Sequence, residues 1–178
     1  MATLHLISGL PCSGKTSYAI GLRADANCVL FSLDRWLITA FGRYDIGVAG
    51  HGEHTRRVLA CRELIWDSAS ELLRRSVDVV LDDGFFLRHH RVRHIDLANA
   101  IGATAKIHHI DTALEIIRDR LELRNAHLPP FNFRIDPESL AGFSALFERP
   151  SETEGAEVVV IRDGARGDGA RFNGPRGA

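Results

Sequence analysis

Cysteine is scarce in this chain, with three in 178 residues. Cys12, Cys28 and Cys61 stand far apart without a CxxC pair, which argues against a disulfide framework or a cysteine zinc site. A chain of this length buries a sufficient core without such staples, as one domain. No apolar run approaches the roughly 18 residues of a membrane-spanning helix, and the first residues lack the basic and apolar regions of a secretion signal. A cytoplasmic location is therefore expected. No charge of one sign dominates either. The net charge is -1, whereas proteins dedicated to nucleic acid carry a strong basic excess; a long polynucleotide is disfavoured as partner, while one end of a strand stays open. HGEH at residues 51–54 is not the H-E-x-x-H of zinc enzymes. Neither an internal repeat nor an N/T-K-x-D guanine signature is present.

What is present is an alternation of short apolar runs with amphipathic stretches. TLHLIS at 3–8, CVLFS at 28–32, VDVVLDDG at 77–84, TAKIHHID at 104–111 and EVVVI at 157–161 are short, apolar or β-branched runs suited to strands buried on both faces. Between them, residues 15–25, 53–76, 88–102, 112–125 and 137–147 read as helices. In the longest, Val58, Cys61, Ile65, Ala69 and Leu72 recur at helical spacing. This order predicts right-handed β-α-β units: an α/β fold with a parallel sheet of about five strands covered on both sides. The domain is expected over residues 1–161. The last 17 residues, rich in glycine and arginine, have almost nothing to bury and read as a disordered tail or a basic arm for an acidic partner.

The first strand runs directly into GLPCSGKT at 9–16, which fits G-x-x-x-x-G-K-[ST], the Walker A phosphate loop, with the required strand before and helix after. In such a loop, backbone N–H groups from Gly9 to Ser17, including those of Cys12, Ser13 and Gly14, turn toward phosphates. Lys15 reaches the β and γ oxygens, and the Thr16 hydroxyl ligates Mg2+. Cys12 places a thiol inside the loop, where alkylation would block the nucleotide. A magnesium-side acid is expected at the end of a buried strand, and both Asp82 and Asp83 qualify. Asp82 is preferred because it directly follows the unbroken apolar run.

Around this cradle stand the candidates for chemistry. Asp34 ends the second strand, on the sheet edge where such folds bind ligands. It is placed to accept the proton of an attacking hydroxyl, or else to cap the RWLITAF helix. Arg120 and Arg124, one turn apart, are either lid residues that neutralise migrating charge or cations at home near a helix C-terminus. The lid is expected over about 120–137. Arg88 and Arg91 in RHHR oppose a helix dipole in its first turn, which fits an anion contact, although a solvated helix face explains them more simply. His51 and Glu53 are further candidates for holding an acceptor.

Taken with these residues, the chain resembles the small P-loop kinases of the AAA-type "predicted kinase" group, a group similar to chloramphenicol phosphotransferase and the kinase domain of polynucleotide kinase. The resemblance runs from residue 3 to about 161 through GLPCSGKT, SLD, VVLDDGFFLRHHR, RLELRN and FRIDPESLAGFSALFERPSETEG. It implies the nucleotide-kinase variety of P-loop NTPase fold, ATP and Mg2+ as cofactors, Asp34 as base for the acceptor hydroxyl, Asp82 as the magnesium-side acid, and the arginines of RLELRN in a mobile lid. Two departures stand out. Asp83 occupies what is usually a neutral or apolar position, and where polynucleotide kinases commonly carry an additional arginine shortly after the base, Arg35 is adjacent but Leu37 occupies the next turn. The expected activity is ATP-dependent phosphorylation of a hydroxyl on a small molecule such as an antibiotic, a nucleoside or a sugar-like metabolite. A polynucleotide 5'-hydroxyl kinase and an acceptorless ATPase switch are the alternatives.

Overall fold

The computed structural model describes residues 1–25 and 28–162, so the expectations for the C-terminal tail beyond Arg162 lie outside the described residues. The chain runs β1 (Thr3–Ser8), α1 (Lys15–Asp25), β2 (Cys28–Ser32), α2 (Leu33–Phe41), α3 (Ile46–Ala49), α4 (His51–Arg74), β3 (Asp78–Gly84), α5 (Arg88–Ala100), β4 (Thr104–Asp111), α6 (Leu114–Ala126), α7 (Pro137–Leu146) and β5 (Glu157–Arg162). All five strands pair in parallel, in the order β2-β3-β1-β4-β5. The five expected strands fall where the apolar runs placed them.

Alternation along each strand divides the core in two. Leu4, Leu6, Val79, Leu81 and Ile107 face the side covered by Leu37 of α2, Cys61, Ile65, Ala69 and Leu73 of α4, and Ile95 and Ala98 of α5. Ile7, Val80 and Ile110 face the other side, under Ala19, Tyr18 and Leu22 of α1. Leu4, Leu6, Ile7, Val79 and Val80 are wholly buried, as central strands of a parallel sheet require. The inward residues of α4 recur every four positions, the period of one helix face. Truncating Ile65 or Leu73 to alanine costs about 2 to 5 kcal/mol. A third, smaller cluster joins Ile117 and Leu121 of α6 to Leu140 of α7, and packs on Leu10 and Cys12 of the phosphate loop. Helices α6 and α7 thus rest on the loop itself.

One irregularity positions the site. Ile7 pairs with Asp82 but Ser8 with Gly84, so Asp83 is an extra residue, a bulge at the end of β3. Bulges of this kind re-aim side chains at sheet edges and beside active sites.

Candidate active site

The loops at the carboxyl ends of β1, β2, β3 and β4 form one edge, and the predicted residues converge there. Gly9 has φ 155°, and a Cβ on it would lie 2.9 Å from both the Ile110 carbonyl oxygen and Ser13 Oγ; only glycine permits that approach. Its N–H donates to the Gly84 carbonyl at 3.1 Å, which docks the loop against β3. Gly14 has φ 103°, with the Arg120 guanidinium beside it. Cys12 also takes a positive φ, 61°, and burial pushes its thiol up despite the cations Arg124, Lys15 and Arg120. The Ser13 carbonyl accepts from Thr112 Oγ1 at 2.9 Å and from Arg120 Nη1 at 3.2 Å. Thr112 is a loop contact that the sequence reading missed; a threonine directly after a buried strand is its only local signal.

Lys15 Nζ donates to the Leu10 carbonyl at 2.7 Å. Burial holds its ammonium below the usual range, while Asp82 and Asp34 oppose that shift. Thr16 and Ser17 are exposed on the first turn of α1. The Thr16 hydroxyl donates to Asp82 at 2.7 Å. Asp82 itself is buried, and desolvation raises its pKa against the pull of Lys15. The bulge sends the adjacent acid the other way. Asp83 accepts two bonds from Arg62 of α4, at 2.6 and 2.7 Å. Arg62 was not foreseen, although it sits four residues after Val58, on the flank of the inward face of α4.

Asp34 lies within the first turn of α2, whose N-cap is Ser32, so the capping alternative is corrected. Its carboxylate has no hydrogen bond or ion pair among the described residues and remains exposed. Protein nonetheless crowds around it. Desolvation first, then the charge of Asp82, raise its pKa to about 6, against the cations Lys15 and Arg124. Arg124 brings a guanidinium whose Nε and Nη2 are buried without a partner among the described residues, close enough for its charge to act on Cys12, Lys15 and Asp34. Unpaired buried cation atoms are expensive, and the cost falls if an anion arrives between them and the loop.

Two expectations need revision and one stands. Arg91 is neither an anion contact nor a solvated residue: it is fully buried and paired with Glu154. Arg88 is exposed, as a solvated helix face requires, and its backbone N–H is capped by Glu148. Helix α4 begins at His51, two residues before the expected start, so His51 and Glu53 both lie in its first turn. There Glu53 pairs with Arg56 and Arg57.

The segment that leads from α6 to α7 is held against α2, α4 and the chain between them. Arg43 donates to the Pro129 carbonyl at 2.7 Å, and Arg35 stacks over the Phe131 ring at 4.9 Å. Phe133 is buried, edge-on to Tyr44 at 5.1 Å and to His54 at 6.0 Å. Tyr44 in turn is bonded to His54 and covered by Arg57.

Residues 4–150 match the family model described as an AAA domain. The chain belongs to that family. Among solved structures, this AAA domain is similar to a presumed kinase of Chloroflexus aurantiacus, at 16% identity over 90% of this chain and 88% of the other with a TM-score of 0.71. It is also similar to Chaetomium thermophilum Kti12 in complex with ADP-AlF3, at 15% identity over 90% and 89% with a TM-score of 0.65. A sugar kinase of Janibacter matches at 13% identity over 91% and 86% with a TM-score of 0.60. No curated protein matches this sequence. The AAA domain thus has the five-stranded parallel architecture of the small P-loop kinases. Among the described residues, no helix is long and apolar enough to cross a membrane.

Proposed function

We propose that this AAA domain is an ATP-dependent kinase that phosphorylates a hydroxyl group of a small molecule, with Asp34 as the general base. The observation that carries this reading is the Asp34 carboxylate: outside the cap, unbonded and solvent-accessible, it stands where Lys15, Asp82 and Arg124 all act on it. Its place in the first turn also suits the helix dipole, but that alone does not bring Lys15, Asp82 and Arg124 to bear on it. A carboxylate with its pKa raised toward neutrality is matched to taking a proton near physiological pH.

In the proposed reaction the acceptor hydroxyl gives its proton to Asp34, and its oxygen forms a bond to the γ-phosphorus. The bond from that phosphorus to the β,γ-bridging oxygen breaks, and ADP leaves. Lys15, Arg120 and Arg124 surround the migrating charge, the dominant contribution in phosphoryl transfer. The lid excludes water. Thr16 and Asp82 would hold Mg2+. Their hydroxyl and carboxylate oxygens suit that hard cation, which retains waters and phosphate ligands and so needs few groups from the protein. When bound, it supplies further charge neutralisation at the phosphate oxygens. The nucleotide in the Kti12 structure supports ATP as donor, and the sugar kinase among similar folds supports a small acceptor. So does Leu37, which is buried in the core and leaves no cation one turn after the base.

The test is incubation with ATP and Mg2+ against two pools, hydroxyl-bearing small molecules and short 5'-hydroxyl oligonucleotides, read by mass spectrometry. A phosphorylated small molecule is expected. A phosphorylated oligonucleotide would replace the acceptor class, and ATP hydrolysis without product, unchanged by Asp34→Asn, would overturn the kinase reading.

A further inference from the structure

Two motifs play no part in the proposed chemistry, RHHR at 88–91 and SETEG at 151–155, and the fold joins them. Arg91 Nε and Nη2 donate to the two Glu154 carboxylate oxygens at 2.7 and 2.8 Å. Its Nη1 donates to the Phe85 carbonyl at 2.9 Å and the Phe86 carbonyl at 3.2 Å. Both members of the pair are fully buried at the side chain. Glu154 is itself fixed in a capping box with Ser151, whose backbone N–H it accepts at 3.1 Å.

What this fork grips is the turn after Asp82 and Asp83. Gly84 and Phe85 both have positive φ, 86° and 44°, and for phenylalanine that conformation persists only when its surroundings impose it. Every carbonyl of the turn is held. Gly84 accepts from the Gly9 N–H of the phosphate loop, Phe85 from Ser8 Oγ at 3.1 Å as well as Arg91, and Phe86 from the Glu148 N–H as well as Arg91. The same turn therefore sets the end of β3, which presents Asp82 to Thr16, and docks the strand that begins the phosphate loop.

Burying an ion pair gains little net stability over apolar residues of the same size, so stability alone does not account for this one. We propose that Arg91, anchored by Glu154, is a positioning residue that fixes the 84–86 turn and thereby aims Asp82 for use of the magnesium-bound nucleotide. This rests on the reading of Asp82 as the magnesium-side acid. A lysine in place of Arg91 keeps the charge beside Glu154 but loses the planar fork that reaches carboxylate and carbonyls together.

The test uses the full chain with two variants, R91M/E154L, which fills the site with apolar side chains, and R91K. Three quantities are measured: Tm, hydrogen exchange at residues 6–10 and 82–87, and ATP affinity with and without Mg2+. For R91M/E154L the expected result is a Tm near that of the wild type, faster exchange at both segments, a magnesium-free ATP affinity that falls less than the magnesium-bound one, and a loss of about 10- to 100-fold in the affinity gained from Mg2+, the range for residues that orient metal ligands. R91K gives the same exchange and magnesium result, and it decides alone if the double variant does not fold. Wild-type exchange and wild-type magnesium gain in a folded variant overturn the proposal. A wild-type protein without any magnesium-dependent gain overturns the reading of Asp82, and the exchange result then decides whether Arg91 holds the turn.

Discussion

At the scale of single residues, Asp34 makes the sharpest demand on experiment. Because it is not a cap, Asp34→Asn leaves the start of α2 undisturbed while removing the only proton acceptor at that position. Transfer is expected to fall by about 100-fold or more, a typical general-base share, with ATP affinity retained, and steady-state kinetics on the identified acceptor checks this. As the proposed base, Asp34 would act only when ionised, and desolvation by the surrounding protein and the charge of Asp82 raise its pKa to about 6. The acid limb of kcat/KM should therefore rise through about pH 6 in the wild type. The same shift has a consequence for stability, with a definite sign. The fold prefers the protonated carboxyl, so the unfavourable contribution is absent below the unfolded value of 3.8 and complete above about 6. Asp34→Asn should consequently raise Tm at pH 8 and leave it unchanged at pH 3.5, which thermal melts at the two pH values can decide. Because the carboxylate keeps solvent access, the gain should be modest.

At the scale of elements, the segment between α6 and α7 is held down as a strap by Arg43, Arg35 and above all Phe133. Phe133→Ala empties the socket formed with Tyr44 and His54, at a local cost of about 3 kcal/mol for a buried ring. Trypsin cleavage after the exposed Arg134 should then accelerate while the sheet stays folded; an unchanged cleavage rate would show that the strap is held elsewhere. The contacts of this latch were not legible in the sequence, which placed about 120–137 in a lid but gave no partner for Phe133. The contrast with the strands is instructive. Short apolar runs bounded by glycine or acid announce a buried parallel strand by local composition, and the phosphate loop announces itself because the backbone needs its glycines at fixed spacing. Arg91 misled for the opposite reason. Its position in a first helical turn is local, but its partner Glu154 lies 63 residues away, and a charge neutralised over that distance looks like a surface residue in any window of sequence. Asp82 and Asp83 are a third kind of case. Both were visible as acids at a strand end, but only the bulge separates the one bonded to Thr16 from the one bonded to Arg62.

At the scale of the whole molecule, the titratable groups set how the fold responds to acid. Tyr18, His108 and His5 form a hydrogen-bonded chain beneath α1, with the Tyr18 hydroxyl 2.8 Å from His108 Nδ1 and His108 Nε2 2.9 Å from His5 Nδ1. Burial holds both imidazoles below their ordinary value, His108 at about 4. His54, His90, His94 and His109 are lowered too, each first by desolvation. A depressed histidine pKa means that the unfolded chain takes up protons before the native state does. Its stabilising contribution is complete above about pH 6.5 and is lost as pH falls from there toward about 4. Asp34 and Asp82, both raised, act in the opposite sense, since the fold protonates them first. The histidines outnumber these two acids, and His108 alone is worth about 3 kcal/mol over its full range. Tm should therefore fall between pH 7.5 and pH 5, and His108→Gln, which keeps polar atoms within reach of Tyr18 and His5, should shrink the difference between the two values whatever it does to their mean. A difference left untouched by that substitution would mean that water reaches the chain beneath α1, and that the loss of stability in acid arises at the half-exposed histidines near Arg62 and Asp83 instead.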